Sequence, residues 1–88
     1  MSASWDDVEQ QVRAFLAENA PDRASVIQTL ELDAEIWQVI GSLDMLELVE
    51  FLERQFTLTV HPLEFVPENF SSLRRIVEFT RRRLGDPA

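Results

Sequence analysis

The chain contains no cysteine and no lysine, only two glycines and a single histidine. Without cysteine there is no disulfide framework and no thiolate metal site. Two glycines are too few for a glycine-rich phosphate loop. The one histidine, His61, stands directly before Pro62. Ser42 and His61 could be called a dyad, but no G-x-S-x-G surrounds the serine and no third partner is indicated. His61 is therefore expected to be an exposed turn residue, and the chain is not expected to be an enzyme. Long hydrophobic runs are lacking too. The stretch MSASWDDVEQ is acidic, and no signal peptide or membrane span is visible, which makes the cytoplasm the default compartment. There is no repeat and no low-complexity segment.

The 88 residues predict one small domain over 1–88, with little stability to spare. Hydrophobic residues at 45% and charged residues at 27% mark a globular chain rather than a disordered one. The net charge of −8 is unevenly spread. Residues 1–68 set three arginines against 14 acids, a net −11, while residues 69–88 set five arginines against two acids, a net +3. An acidic body of this kind repels nucleic acid and anionic membrane and attracts partners with basic patches. The arginine-rich end could touch a phosphate, but Arg81, Arg82 and Arg83 better suit the last turn of a helix, where they offset its dipole.

The apolar spacing predicts an all-α fold. A first helix opens at Ser4, with Asp7 three residues on, and buries Trp5, Val8, Val12, Phe15 and Leu16. Asn19-Ala20-Pro21-Asp22 ends it. Residues 21–41 read as a long connection pinned by its apolar side chains, with one helical turn possible over Asp33–Trp37. A second helix covers Leu43–Phe56, with Ser42 as its cap and Met45, Leu48, Val49, Leu52 and Phe56 facing the core. Phe56, Leu58 and Val60 then alternate with threonines in a short extended piece. The prolines at 62 and 67 limit any helix between them to one turn. Asn69-Phe70-Ser71-Ser72 is a capping sequence for a last helix whose inner stripe is Leu73, Ile76, Val77, Thr80 and Leu84. Gly85 and Pro87 close it. The sum is a small four-helix bundle with three main helices, one short helix and a long first loop.

Calcium binding is tested by Glu31, Asp33 and Glu35, which have the spacing of EF-hand ligands. The sixth loop position is Ile36 instead of Gly and the twelfth is Ser42 instead of Glu, so the match fails. The second helix is more informative. Leu43 and Phe51 project from the side that carries Asp44, Glu47 and Glu50, with Leu46 at its boundary. Acids that steer a basic partner, around apolar anchors that hold it, make a docking surface.

Gly41-Ser42-Leu43-Asp44-Met45-Leu46-Glu47-Leu48-Val49 resembles the D-S-L-D-x-[VL]-E-L-V run of acyl carrier proteins. Leu52-Glu53-Arg54-Gln55-Phe56 looks like the L-E-[ED]-x-F that follows it in that family. Pro67-Glu68-Asn69-Phe70-Ser71-Ser72-Leu73 is similar to the P-E-N-F-x-[ST]-[LIV] segment of stand-alone acyl and aminoacyl carriers. The resemblance implies an acyl-carrier-like bundle with 4′-phosphopantetheine joined covalently to Ser42. The arm's thiol would hold an acyl or aminoacyl group as a thioester. The partners it implies are a phosphopantetheinyl transferase, an acyl- or aminoacyl-activating ligase, and downstream transferases or synthases with basic docking patches. Leu43, Asp44, Leu46 and Glu47 would be the nearest docking contacts, with Glu50, Phe51 and Glu53 extending the face.

Two positions depart from the pattern. Gly41 replaces the family's usual aspartate, which often helps recognition by the modifying transferase. Thr57 replaces the usual glycine after the second helix. An alternative reading is an unmodified helical protein–protein interaction module that keeps the carrier fold and uses Ser42 only as a cap. An acidic regulator of a basic protein is a third.

Overall fold

The computed structural model describes residues 4–85. Helix α1 spans Trp5–Asn19. Ser4 is its N-cap in extended backbone, and its Oγ accepts the Asp7 N–H at 3.1 Å, as the spacing predicts. Val8, Val12 and Leu16 are buried on its inner face, and Phe15 is half-buried.

The next segment differs from the expected loop. Pro21 ends α1 but also begins a 3₁₀ turn, Pro21–Arg23, that runs into helix α2, Ala24–Thr29. Proline suits a first helical position, because its φ is preset and its missing N–H would have no intrahelical partner there. Of α2's six residues only Ile27 is fully buried, so the helix has little apolar period to show. Arg13 of α1 holds its carboxyl end. The guanidinium donates to the Ile27 carbonyl at 2.7 Å and the Leu30 carbonyl at 2.8 Å, while its Nε pairs with Glu9 at 2.8 Å. These bonds satisfy carbonyls that a short helix leaves open.

A second 3₁₀ turn, Ile36–Gln38, falls where a single turn was expected and buries Ile36. Helix α3 spans Ser42–Phe56. Met45, Leu48 and Leu52 are fully buried, with Val49 and Phe56 packed half-buried beside them, which is the predicted inner face. The chain leaves α3 through Thr57 in the left-handed region, φ 52°, ψ 53°. Residues 58–61 form no strand. A 3₁₀ turn at Pro62–Glu64 follows, capped by His61, whose Nδ1 accepts the Leu63 N–H at 3.1 Å. His61 is exposed.

Helix α4, Pro67–Phe70, is one turn, and α5 spans Leu73–Arg83 with Ser72 as N-cap. Leu73, Ile76, Val77 and Thr80 are buried as the pattern predicts, Phe79 joins them, and Leu84 is half-buried beyond the helix. The buried Thr80 hydroxyl donates to the Ile76 carbonyl at 2.8 Å. Gly85 stands just past the helix with φ 87°, a value that favours glycine. Pro87, expected as the stop, lies outside the described residues.

Two backbone bonds fasten the connection to the α4–α5 corner. The Ile36 N–H donates to Ser71 O at 2.9 Å and the Arg74 N–H to Leu32 O at 3.0 Å. Arg74 also grips Asp33 with two bonds, 2.7 and 3.2 Å. These hydrogen bonds hold the Asp33 carboxyl below its usual range. A depressed carboxyl stabilises the fold above its unfolded pKa, and that contribution fades as pH falls through the folded value. The other arginines of this end are engaged as well. Arg83 reaches Glu64 and the Thr59 carbonyl, Arg82 reaches Asn69, and Arg75 reaches the Glu68 carbonyl. They staple α5 to neighbouring segments in addition to offsetting its dipole. The result is a small compact all-α globule with four helical stretches of seven or more residues, 5–19, 21–29, 42–56 and 73–83, and no strand among the described residues. No helix among them is long and apolar enough to cross a membrane.

Candidate functional site

The candidate site begins where the connection enters α3. Gly41 is extended, φ −97°, ψ −178°, and its carbonyl accepts the first helical bond, from the Met45 N–H at 3.1 Å. Gly41 is therefore the N-cap, and Ser42 occupies the first helical position. This corrects the expectation that Ser42 is the cap. The residue that carries the extended backbone decides, not the one with the better capping side chain. Only one half of a capping box exists here. The Asp44 carboxylate accepts the Gly41 N–H at a long 3.4 Å, and glycine has no side chain to return the bond.

Freed from capping, the Ser42 hydroxyl makes no hydrogen bond with a described residue, and Ser42 is exposed. A Cβ placed on Gly41 would meet nothing within 4 Å beyond its chain neighbours, so a larger residue could stand there. The N–H groups of Ser42, Leu43 and Asp44 have no carbonyl four residues back inside the helix, and they mark the positive end of its dipole. An oxygen at Ser42 carrying a phosphodiester would meet these open N–H groups and the dipole's positive end, with the Asp44 carboxylate opposing its charge and Arg23 offsetting that carboxylate.

The predicted docking residues divide into two groups. Leu43 is 70% exposed and Leu46 55% exposed. With Glu47 and Glu50 they follow the i, i+3, i+4, i+7 spacing of one helix face, running away from Ser42. Neither Glu47 nor Glu50 has an ion-pair partner among the described residues. Asp44, Phe51 and Glu53 instead make contacts within the molecule. Phe51 is half-buried and stacks on Phe15 of α1, with centroids 4.4 Å apart and planes 22° from parallel. It is not an outward anchor, because α1 covers that side of α3. Glu53 accepts the Val60 N–H at 2.9 Å and so holds the chain after Thr57. Asp44 lies 3.6 Å from the Arg23 Nη2.

Arg23 is the residue that sequence reasoning missed. Its Nη1 donates to the Val39 carbonyl while Nη2 faces Asp44. Its Nε is shielded from solvent and has no hydrogen-bond partner among the described residues, with the Asp22 carboxylate 3.8 Å away. One signal was available. Arg23 is one of three arginines in a strongly acidic segment, where a lone cation is a candidate for internal pairing. The turn before Ser42 also forms one wall of an apolar cleft of about 130 Å³, lined by Trp37, Phe65, Val66, Pro67 and Phe70. Trp37 meets Phe65 edge-on at 6.1 Å. Among the described residues no cluster of His, Asp and Glu could hold a metal ion. No known protein family, curated protein or solved structure matches this chain.

Proposed function

We propose that the chain is an acyl carrier protein-like carrier, modified on Ser42 with 4′-phosphopantetheine. The bound arm supplies the thiol that holds an acyl or aminoacyl group as a thioester. The chain's own residues present that arm. Ser42 offers an exposed hydroxyl, without a hydrogen-bond partner among the described residues, at the head of a long helix, and this observation carries the reading. Next to it, Leu43 and Leu46 give apolar contact, and Glu47 and Glu50 attract the basic patches of a transferase, an activating ligase or a downstream synthase. The all-α globule and the run from Ser42 to Phe56 support the same reading. A carrier acts by presenting its cargo to enzymes and catalyses nothing itself.

The test is intact-mass spectrometry after co-expression with a promiscuous phosphopantetheinyl transferase. The expected result is one phosphopantetheine-sized increment, absent from Ser42→Ala. A wild-type chain that gains no mass with several transferases overturns the reading. That outcome would favour an unmodified helical interaction module, for which the observation is Gly41 in place of the family's aspartate. Partner binding would then survive Ser42→Ala.

A further inference from the structure

We infer that Arg23 is a positioning residue that clamps the segment before Ser42 onto the start of α3, so that Ser42 is presented in one conformation for modification. The inference rests on the carrier reading for its consequence, but the clamp stands on geometry alone. Arg23 belongs to the turn between α1 and α2, remote in sequence from Ser42. Its two terminal nitrogens reach the Val39 carbonyl, three residues before Ser42, and the Asp44 carboxylate, two residues after it. Asp44 in turn accepts the Gly41 N–H. One guanidinium thus ties both flanks of the attachment point to a third element of the fold.

The clamp supplies something the local chain cannot. Gly41 brings no side-chain cap, and its single bond to Asp44 is long at 3.4 Å. The Ile40 N–H is held by Ile36 O at 3.1 Å and Ile40 is buried, whereas Gly41 and Ser42 are exposed and make no side-chain hydrogen bond of their own among the described residues. Without Arg23, the Val39 carbonyl loses its charged donor and Asp44 loses its cation. A guanidinium suits this task because its planar fork can serve two acceptors at once, whereas an ammonium is a point charge.

The expected kinetic signature follows from population. When only part of the ensemble presents Ser42 correctly, apparent affinity for the transferase falls by that fraction, while the bound complex still reacts normally. Arg23→Ala should therefore raise the transferase KM for the carrier by about threefold or more with kcat little changed. A purely structural role would raise KM too, through loss of folded carrier, but would then quicken amide exchange in α1 and α5 as much as at residues 39–44.

The experiment pairs two readouts on the full-length chain. Amide hydrogen exchange is followed across residues 39–44 and, as reference, in α1 and α5. Transfer from coenzyme A by a promiscuous transferase is followed by intact mass at varied carrier concentration. In Arg23→Ala, exchange should quicken at residues 39–44 with the reference amides unchanged, and KM should rise. Arg23→Lys, which keeps the charge, should fold and fall between wild type and Arg23→Ala in both readouts. Should Arg23→Ala fail to fold, the Lys variant decides alone. Wild-type exchange at residues 39–44 in the folded variants overturns the clamp, and unchanged KM overturns its role in presentation. A wild-type chain that no transferase modifies overturns the carrier reading and with it the role in presentation, while the exchange data still decide whether the clamp exists.

Discussion

At the amino end of α3, Gly41 caps the helix with φ −97° and ψ −178°, extended backbone that any residue adopts. At the carboxyl end, Thr57 holds φ 52° and ψ 53°, a region that favours glycine and costs other residues roughly 1–2 kcal/mol. So glycine stands where the backbone does not need it and is missing where it would relieve strain. The surroundings match this contrast. The Thr57 and Leu58 N–H groups both reach the Glu53 carbonyl, and the Glu53 carboxylate holds Val60. A strained residue persists only where such contacts over-determine it. At the other end the Ser42 hydroxyl has no hydrogen-bond partner among the described residues, and Arg23 reaches in from the turn between α1 and α2. One end of the helix is held by contacts from its own last turn, and the other leaves an exposed hydroxyl without a partner among the described residues.

The largest test of that contrast removes the open end's hydroxyl. Ser42→Ala should abolish the mass increment completely. Because Gly41 is the cap, stability in urea should shift by no more than about 0.5 kcal/mol. A loss of about 1–2 kcal/mol, the cost of a deleted cap, would mean that Ser42 supports the helix and that the two ends are alike. Next in size are Leu43→Ala and Glu47→Lys. Each should slow loading or unloading by up to about tenfold, as truncation of an interface anchor does, with the urea midpoint nearly unchanged. If both variants are loaded and unloaded at wild-type rates, the outward stripe is not the docking face.

The fixed end gives a smaller effect of opposite character. Thr57→Gly should raise stability by about 1 kcal/mol, since relief of the left-handed backbone outweighs the extra entropy of glycine in the unfolded chain. For a domain of this size that is a rise of about 4–8 °C in Tm, read by calorimetry. Modification kinetics should not change. Thr57→Ala, which keeps a Cβ, should gain less than Thr57→Gly. Equal gains would place the cost in the β-branch rather than in the left-handed backbone.

What the sequence revealed about these regions follows from the range over which each interaction acts. Helices α1, α3 and α5 were legible because their buried residues recur at helical spacing and because Ser4 and Ser72 cap locally. Helix α2 was not. Its single buried Ile27 shows no period, Pro21 served as both stop and start, and the Arg13 bonds that hold its end span 14 and 17 residues. The stripe of Leu43, Leu46, Glu47 and Glu50 was legible from the helical wheel. Phe51 was misread from the same wheel, which describes α3 alone and cannot show α1 laying Phe15 across it. The cap was misplaced by one residue. Side-chain preference pointed to Ser42, while the backbone turned at Gly41.

The smallest expected effect bears most directly on the contrast, because it converts Gly41 to the residue common in acyl carriers. Gly41→Asp meets no steric bar and no disallowed φ. Aspartate outranks glycine as an N-cap by only a few tenths of a kcal/mol. The nearby Asp44 carboxylate, already shared between the Gly41 N–H and Arg23, repels a second negative charge and trims that gain. Thermal stability should therefore stay nearly constant. If transferases read the residue before the serine, Gly41→Asp should raise the rate of modification at constant Tm, and that is the expected outcome. An unchanged rate would place recognition wholly in the stripe from Leu43 to Glu50, while a large change in Tm would show that the open end of α3 is as constrained as the end held by Glu53.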